Sequence, residues 1–153
     1  MKRIASFEVD HTILEKGMYT SRVDGDVVTY DIRMRKPNKE EVLDNASIHT
    51  IEHLFATFVR NSDFSDKIIY FGPMGCRTGF YFLVRDSVSP AEAIELTQKA
   101  FAFIADFSGE VPGVSAIECG NFKDHSLEGA KKEALDFLPV INGVTVSDLV
   151  YKK

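Results

Sequence analysis

The stretch V-V-T-Y-D-I-R-M-R, Val27 to Arg35, alternates without a break. Val28, Tyr30, Ile32 and Met34 fall on one side, and Thr29, Asp31, Arg33 and Arg35 on the other. A period of two is that of a β-strand, whose successive side chains point to opposite faces, so this is a half-buried strand that ends at K-P-N. Three more runs read as strands: Ser6 to Val9, Lys67 to Phe71 and Gly79 to Arg85. The last two are separated by the turn-rich G-P-M-G-C-R-T.

Helices follow. One starts after Ser47. Another starts at S-P-A-E, where Ser89 caps, Pro90 suits the first helical position and Glu92 completes a capping box; it runs to about Phe107. A third begins near Ser126 in S-L-E-G-A-K-K-E-A-L-D-F-L and is expected to stop at Pro139, with Leu127, Ala130, Ala134, Leu135 and Leu138 on one face. Strands clustered early and helices clustered late predict an α+β fold, an antiparallel sheet with helices packed on one face. No repeat, low-complexity tract or long linker breaks residues 1–153, so a single domain is expected.

The formal net charge of -5 gives no electrostatic reason to expect nucleic acid. No apolar run approaches the roughly 20 residues that cross a bilayer, and the N-terminal apolar run is too short for a signal peptide. Neither a nucleic-acid nor a membrane partner is expected, and the cytoplasm is the expected compartment. There, Cys76 and Cys119 are free thiols available for metal or catalysis.

Chemistry concentrates in S-I-H-T-I-E-H-L-F, Ser47 to Phe55. On a helix, Ile48, Ile51, Phe55, Phe58 and Val59 form one apolar stripe, while His49, Glu52 and His53 share a separate arc. Two imidazoles four residues apart can reach one ion, with the glutamate beside them as a base. A solvated polar face has the same spacing. A catalytic metal needs a third protein ligand, and Cys119, in I-E-C-G-N-F with His125 close behind, and Cys76, beside Arg77, both offer thiols. Spacing alone does not say which binds and which reacts.

Five motifs in order, S-F-E-V-D-H-T, D-I-R-M-R-K-P-N, H-T-I-E-H-L-F-A, P-M-G-C-R-T-G-F-Y and E-C-G-N-F-K-D-H-S-L-E-G-A, resemble the S-ribosylhomocysteine lyase (LuxS) family of autoinducer-2 synthases from Ser6 to about Ala130. The resemblance implies a homodimer with active sites at the interface and one divalent metal per subunit, Fe2+ with Zn2+ or Co2+ able to replace it. His49, His53 and Cys119 match the family's metal ligands, Glu52 and Cys76 its acid–base groups, and Ser6, His11 and Arg33 its substrate-site positions. The resemblance implies that the N-terminal segment contributes across the interface. It also implies the reaction: the carbonyl of S-ribosylhomocysteine moves from C1 to C3 through enediolates, and homocysteine leaves by β-elimination. The other product is 4,5-dihydroxy-2,3-pentanedione. Where many family members read aspartate, an apolar residue and serine before P-M-G-C, this chain has Tyr70, Phe71 and Gly72.

Two other readings fit part of the pattern. H-x-x-E-H also occurs in inverzincin metallopeptidases, which take an acidic third ligand. A non-catalytic, metal-stabilised binding module would close the site with a fourth protein ligand.

Overall fold

The computed structural model describes residues 1–153. Its four strands are β1 (Gly17–Asp24), β2 (Val27–Arg33), β3 (Ile68–Pro73) and β4 (Gly79–Arg85), in the order β1-β2-β4-β3 with every neighbouring pair antiparallel. Its four α-helices are α1 (Ala5–Glu8), α2 (Asn45–Arg60), α3 (Pro90–Asp106) and α4 (Leu127–Asn142). This is the expected α+β arrangement. Tyr30 lies opposite Phe82 and Ile32 opposite Phe80, so the apolar sides of β2 and β4 form one face. That face, α2, α3 and α4 share a core in which Phe55, Phe82, Phe101 and Phe137 meet.

Local signals set the element ends. Asp44 caps α2 by accepting the Ser47 N–H, and Ser89 and Glu92 form the capping box of α3. Ser126 caps α4.

Several expectations change. Ser6–Val9 is no strand: residues 5–8 form the single turn α1, and β1 occupies the sheet edge that such a strand would have needed. β1 escaped the pattern because its outer half, Thr20 to Asp24, is polar, bulged and poorly buried. The signal that would have revealed it is V-D-G-D-V, in which Gly25 at φ 59 and Asp26 make a two-residue hairpin loop. α4 does not stop at Pro139 but runs to Asn142. The helix bond removed by proline belongs to the carbonyl of Leu135, and both residues lie on the exposed side, where water can replace it. Leu135 therefore does not join the apolar face, which Phe137 and Ile141 complete.

The second face of the sheet departs most from the pattern. Asp31 and Arg33, assigned to the wet side by alternation, are 1% and 2% exposed. They form a bidentate ion pair, with Nε on Oδ1 at 3.1 Å and Nη2 on Oδ2 at 2.7 Å. Tyr19, opposite Asp31 on β1, and Tyr151 from the C-terminal tail stack over this region with ring centroids 4.9 Å apart. No helix covers it.

A second ion pair, half-buried at Arg35 and buried at Glu133, ties the segment after β2 to α4: Arg35 Nη2 donates to Glu133 Oε2, while Glu133 Oε1 is buried without a partner. Removing the cation alone leaves a carboxylate in a site it cannot leave. Arg35→Met is expected to cost about 2–4 kcal/mol, whereas Arg35→Met with Glu133→Leu recovers most of it. Urea unfolding of both variants is the check, and equal stabilities would contradict the assignment.

Candidate metal centre

The roll of α2 places the polar arc. Ile48, Ile51, Leu54, Phe55 and Val59 are buried, and Phe55 stacks on Phe71 of β3 at 3.7 Å. His49, Glu52 and His53 are half-buried on the arc beside this stripe. Facing them is the 107–126 connection between α3 and α4, which brings in Cys119 and His125. The Cys119 turn is closed by its N–H on the Ser115 carbonyl at 3.0 Å.

One ligand atom from each of His49, His53, Cys119 and His125 lies within 4.8 Å of the other three. Cys119 Sγ stands 3.4 Å from His49 Nε2, 4.0 Å from His53 Nε2 and 3.9 Å from His125 Nε2. Metal–sulfur and metal–nitrogen bonds of about 2.3 and 2.0–2.1 Å at a tetrahedral angle separate the two donors by about 3.5 Å. The donors fit a single ion.

The far sides of the rings agree. His49 Nδ1 donates to the Asp124 carbonyl and His53 Nδ1 to the Pro112 carbonyl, both at 2.9 Å. A carbonyl only accepts, so each Nδ1 carries the proton and each Nε2 presents a lone pair towards Cys119. Gly113 makes this possible at His53: it sits at φ 76, and a Cβ there would lie 3.2 Å from His53 Nδ1.

His125 differs. Its Nδ1 meets the Thr50 hydroxyl at 3.0 Å, which can accept or donate, so its tautomer is not fixed. Its ring stacks on His49 with centroids 3.8 Å apart and planes 25° from parallel. In-plane lone pairs on stacked rings run side by side instead of converging. Burial, and then the neighbouring His49 and His53, hold its pKa below the ordinary histidine value.

Two of the remaining sequence-predicted residues, Arg33 and Cys76, form a second group through Thr78. Arg33 Nη1 donates to Thr78 Oγ1 at 2.8 Å, and Thr78 Oγ1 lies 3.1 Å from Cys76 Sγ. The cation linked to the exposed Cys76 is therefore Arg33, through Thr78. Burial works against the Arg33 charge, but the charge and hydrogen bonds of Asp31 outweigh it and raise the guanidinium pKa. Arg77, in the same turn, takes the left-handed φ of 59, and its carbonyl accepts the Leu43 N–H. Ser6 and His11 join neither group by a hydrogen bond; His11 Nδ1 donates to the Val9 carbonyl at 2.8 Å. At the departure from the family motif, the Tyr70 ring lies over Gly72, where any Cβ would collide with it.

Sequence reasoning placed Thr78 and Tyr151 in no role, and used His125 only as a neighbour of Cys119. For His125 a signal existed, K-D-H-S six residues beyond the thiol; Thr78 and Tyr151 had none.

A four-stranded α+β fold in which imidazoles and a thiol converge defines a small protein with a cluster that could hold one metal ion. The particular family follows from comparison with known proteins. The model of the family described as S-Ribosylhomocysteinase (LuxS) matches residues 4–146. Proteins named S-ribosylhomocysteine lyase from Borrelia garinii, Desulfotalea psychrophila and Phocaeicola vulgatus are 46%, 46% and 47% identical, each over 99% of this chain and 99%, 99% and 98% of their own length. The chain belongs to the S-ribosylhomocysteinase (LuxS) family, and it is an enzyme.

Gly113 gives a direct check on the centre. Gly113→Val strains the backbone and presses on His53, so the affinity for Co2+, titrated against a competing chelator, is expected to fall about 10- to 100-fold. Gly120→Ala, where a Cβ meets nothing within 4 Å, leaves it unchanged. Equal affinities in the two variants would count against the Pro112–His53 support.

Proposed function

We propose that the chain cleaves the thioether of S-ribosylhomocysteine, giving homocysteine and 4,5-dihydroxy-2,3-pentanedione, the precursor of autoinducer 2. One divalent ion per subunit, held by His49, His53 and Cys119, takes part. The observation that carries this reading is the convergence of two Nε2 atoms and one thiol sulfur in a member of this family. Ferrous iron is the expected occupant, and zinc or cobalt suits the same nitrogen and sulfur donors. When bound, the ion supplies Lewis acidity towards the sugar's carbonyl and hydroxyl oxygens.

The chain's own groups then move protons. Walking the carbonyl from C1 to C2 and on to C3 takes a proton from the carbon beside the carbonyl and returns one to the carbon it leaves, twice. Cys76 does this as thiolate base and thiol acid. Glu52, one position before His53, transfers protons among the oxygens. With the ketone at C3, a proton leaves C4, the C5–S bond breaks, and its electron pair departs on the homocysteine sulfur, which is then protonated. The enol left at C4–C5 takes a proton at C5 and loses its hydroxyl proton to give the diketone, so all atoms are accounted for without water, oxidant or reductant.

Ser6, His11 and Arg33 bind the substrate. Three hydrogen bonds occupy three of the five guanidinium N–H groups of Arg33, which leaves two for it. The working unit is a homodimer with its active sites at the interface, formed from the single 1–153 domain in the cytoplasm. Exposed Ile4 and Phe7 on the segment that carries Ser6 support this, since apolar side chains at 55% and 64% exposure suit a partner better than water. No helix is long and apolar enough to cross a membrane.

A closed structural site is the second reading, and His125 favours it by offering a fourth donor. Its stacking on His49 tells against simultaneous ligation. The peptidase reading loses support because the clustered donors include no carboxylate.

Anaerobically prepared, ferrous-loaded protein is expected to release free thiol from S-ribosylhomocysteine, and none from a folded, loaded dimer would refute the proposal. Cys76→Ala should lower kcat about 10²- to 10⁴-fold and abolish deuterium exchange at the sugar carbons. Glu52→Gln should slow turnover comparably; normal exchange and turnover in both variants would remove their roles. Mixing inactive His11→Ala and His53→Ala subunits should regain activity, because one site in each mixed dimer is intact. Chelation should stop turnover without unfolding the 28-residue core, whereas unfolding would favour the closed structural site.

A further inference from the structure

The C-terminal tail reaches the chemistry from an unexpected direction. Leu149, in the turn Val146–Leu149, is buried in the core, and this anchor sets the tail against the second face of the sheet. Tyr151 stacks there on Tyr19 and donates its phenolic proton to Asp31 Oδ2 at 2.6 Å. From Asp31 the contacts are continuous: its two oxygens hold Arg33 Nε and Nη2, Arg33 Nη1 reaches Thr78 Oγ1, and Thr78 Oγ1 reaches Cys76 Sγ.

The proton directions follow from the donor inventory. A guanidinium only donates, so Thr78 is the acceptor from Arg33. The contact between Thr78 Oγ1 and Cys76 Sγ can run either way while the sulfur is a thiol, and only as thiolate, which has no proton to give, must the sulfur accept from Thr78. Asp31, accepting from Arg33 twice and from Tyr151 once, is the ionised centre of the chain. The phenol matters because it fixes the orientation of the carboxylate that faces the guanidinium. Its ring also shuts water away, and hydrogen bonds in a dry site are stronger.

We infer that Tyr151 is a positioning residue for Cys76: by holding Asp31 it fixes Arg33 on Thr78, whose hydroxyl proton is then aimed at the Cys76 sulfur. A donor aimed at sulfur stabilises thiolate over thiol, and the thiolate is the form that accepts a proton from carbon. The inference rests on the lyase reading for the use to which that thiolate is put. It adds that Tyr151, in the C-terminal tail, acts on the proton-transfer apparatus through Asp31. Burial, and then the adjacent Asp31 charge, raise the phenol pKa of Tyr151, which keeps it a donor at working pH.

The test compares wild type, Tyr151→Phe, Thr78→Ser, Thr78→Val and Lys152→Ala as full-length, metal-loaded protein. Iodoacetamide labelling of Cys76 at pH 7 is followed by mass spectrometry of its peptide, which separates it from Cys119. Tyr151→Phe keeps the ring on Tyr19 and loses only the hydroxyl, so the fold is expected to persist. Its labelling should slow about 3- to 10-fold, and kcat should fall by a similar factor with KM within 2-fold of wild type. Thr78→Val should behave likewise, Thr78→Ser should restore both readouts, and Lys152→Ala should match wild type. Wild-type labelling of Cys76 in Tyr151→Phe would overturn the inference, as would a fall in activity expressed in KM alone.

Labelling needs no turnover, so the two ideas fail separately. Slowed labelling in a protein that releases no thiol from S-ribosylhomocysteine supports the clamp and sinks the lyase reading. An active wild type whose Tyr151→Phe variant labels normally does the reverse.

Discussion

The site depends on the angle at which α2 is rolled against the sheet. Phe55 sets that angle, stacked on Phe71 at 3.7 Å and meeting Phe82 and Phe101 edge-on at 5.0 and 5.6 Å. Aromatic pairs contribute about 0.5–1.5 kcal/mol each beyond the area they bury, so three on one ring outweigh the freedom of a single helix to turn. With Phe55 fixed, His53 lies two residues back and His49 six back, and neither can turn inward without expelling Ile51 or Ile48 from the core. A change of one residue in this setting rotates the arc by about 100° and would carry the imidazoles towards the apolar stripe. Packing on one side of the helix thus fixes the ligand geometry on the other.

What could be read from the chain follows the range of each signal. Strand β4, the capping box at Ser89 and the two faces of α2 are written within a few consecutive residues, and the sequence placed them well. β1 was lost because the part of it that pairs beyond Thr20 has no apolar side to announce it. Pro139 misled because the rule against proline in helices assumes that the abandoned carbonyl is dry, and at Leu135 it is not. In the site, the His49–His53 spacing is local, whereas Cys119 meets His49 across 70 positions and Tyr151 meets Asp31 across 120. No periodicity encodes such contacts. Cys119 was anticipated through resemblance between motifs, and Tyr151 was not anticipated at all.

Alternation did place Asp31 and Arg33 on the second face; it erred in taking that face to be wet. Two ion pairs, one buried at both partners and one at Glu133 alone, explain why this matters. Taking charges out of water costs several kcal/mol per ion, recovered only when the pair's remaining donors and acceptors are satisfied. Arg35 and Glu133 fall short, since one carboxylate oxygen of Glu133 is left alone. Asp31 is completed on both oxygens, by Arg33 and by a phenol from the far end of the chain.

A hydrophobic pair in the same place would stabilise the sheet at least as well, so stability does not account for that completion. Orientation does. A guanidinium held on both oxygens of a carboxylate cannot rotate, and its third hydrogen bond then has one destination, the Thr78 hydroxyl beside Cys76. The histidine–cysteine cluster obeys the same logic through neutral groups: carbonyls at Pro112 and Asp124 fix which nitrogen of each histidine faces the thiol. In both groups the atoms that would touch substrate or ion are aimed by partners behind them. The precision of the chemistry is therefore set in the loops and the tail, which the periodic core holds in place but does not specify.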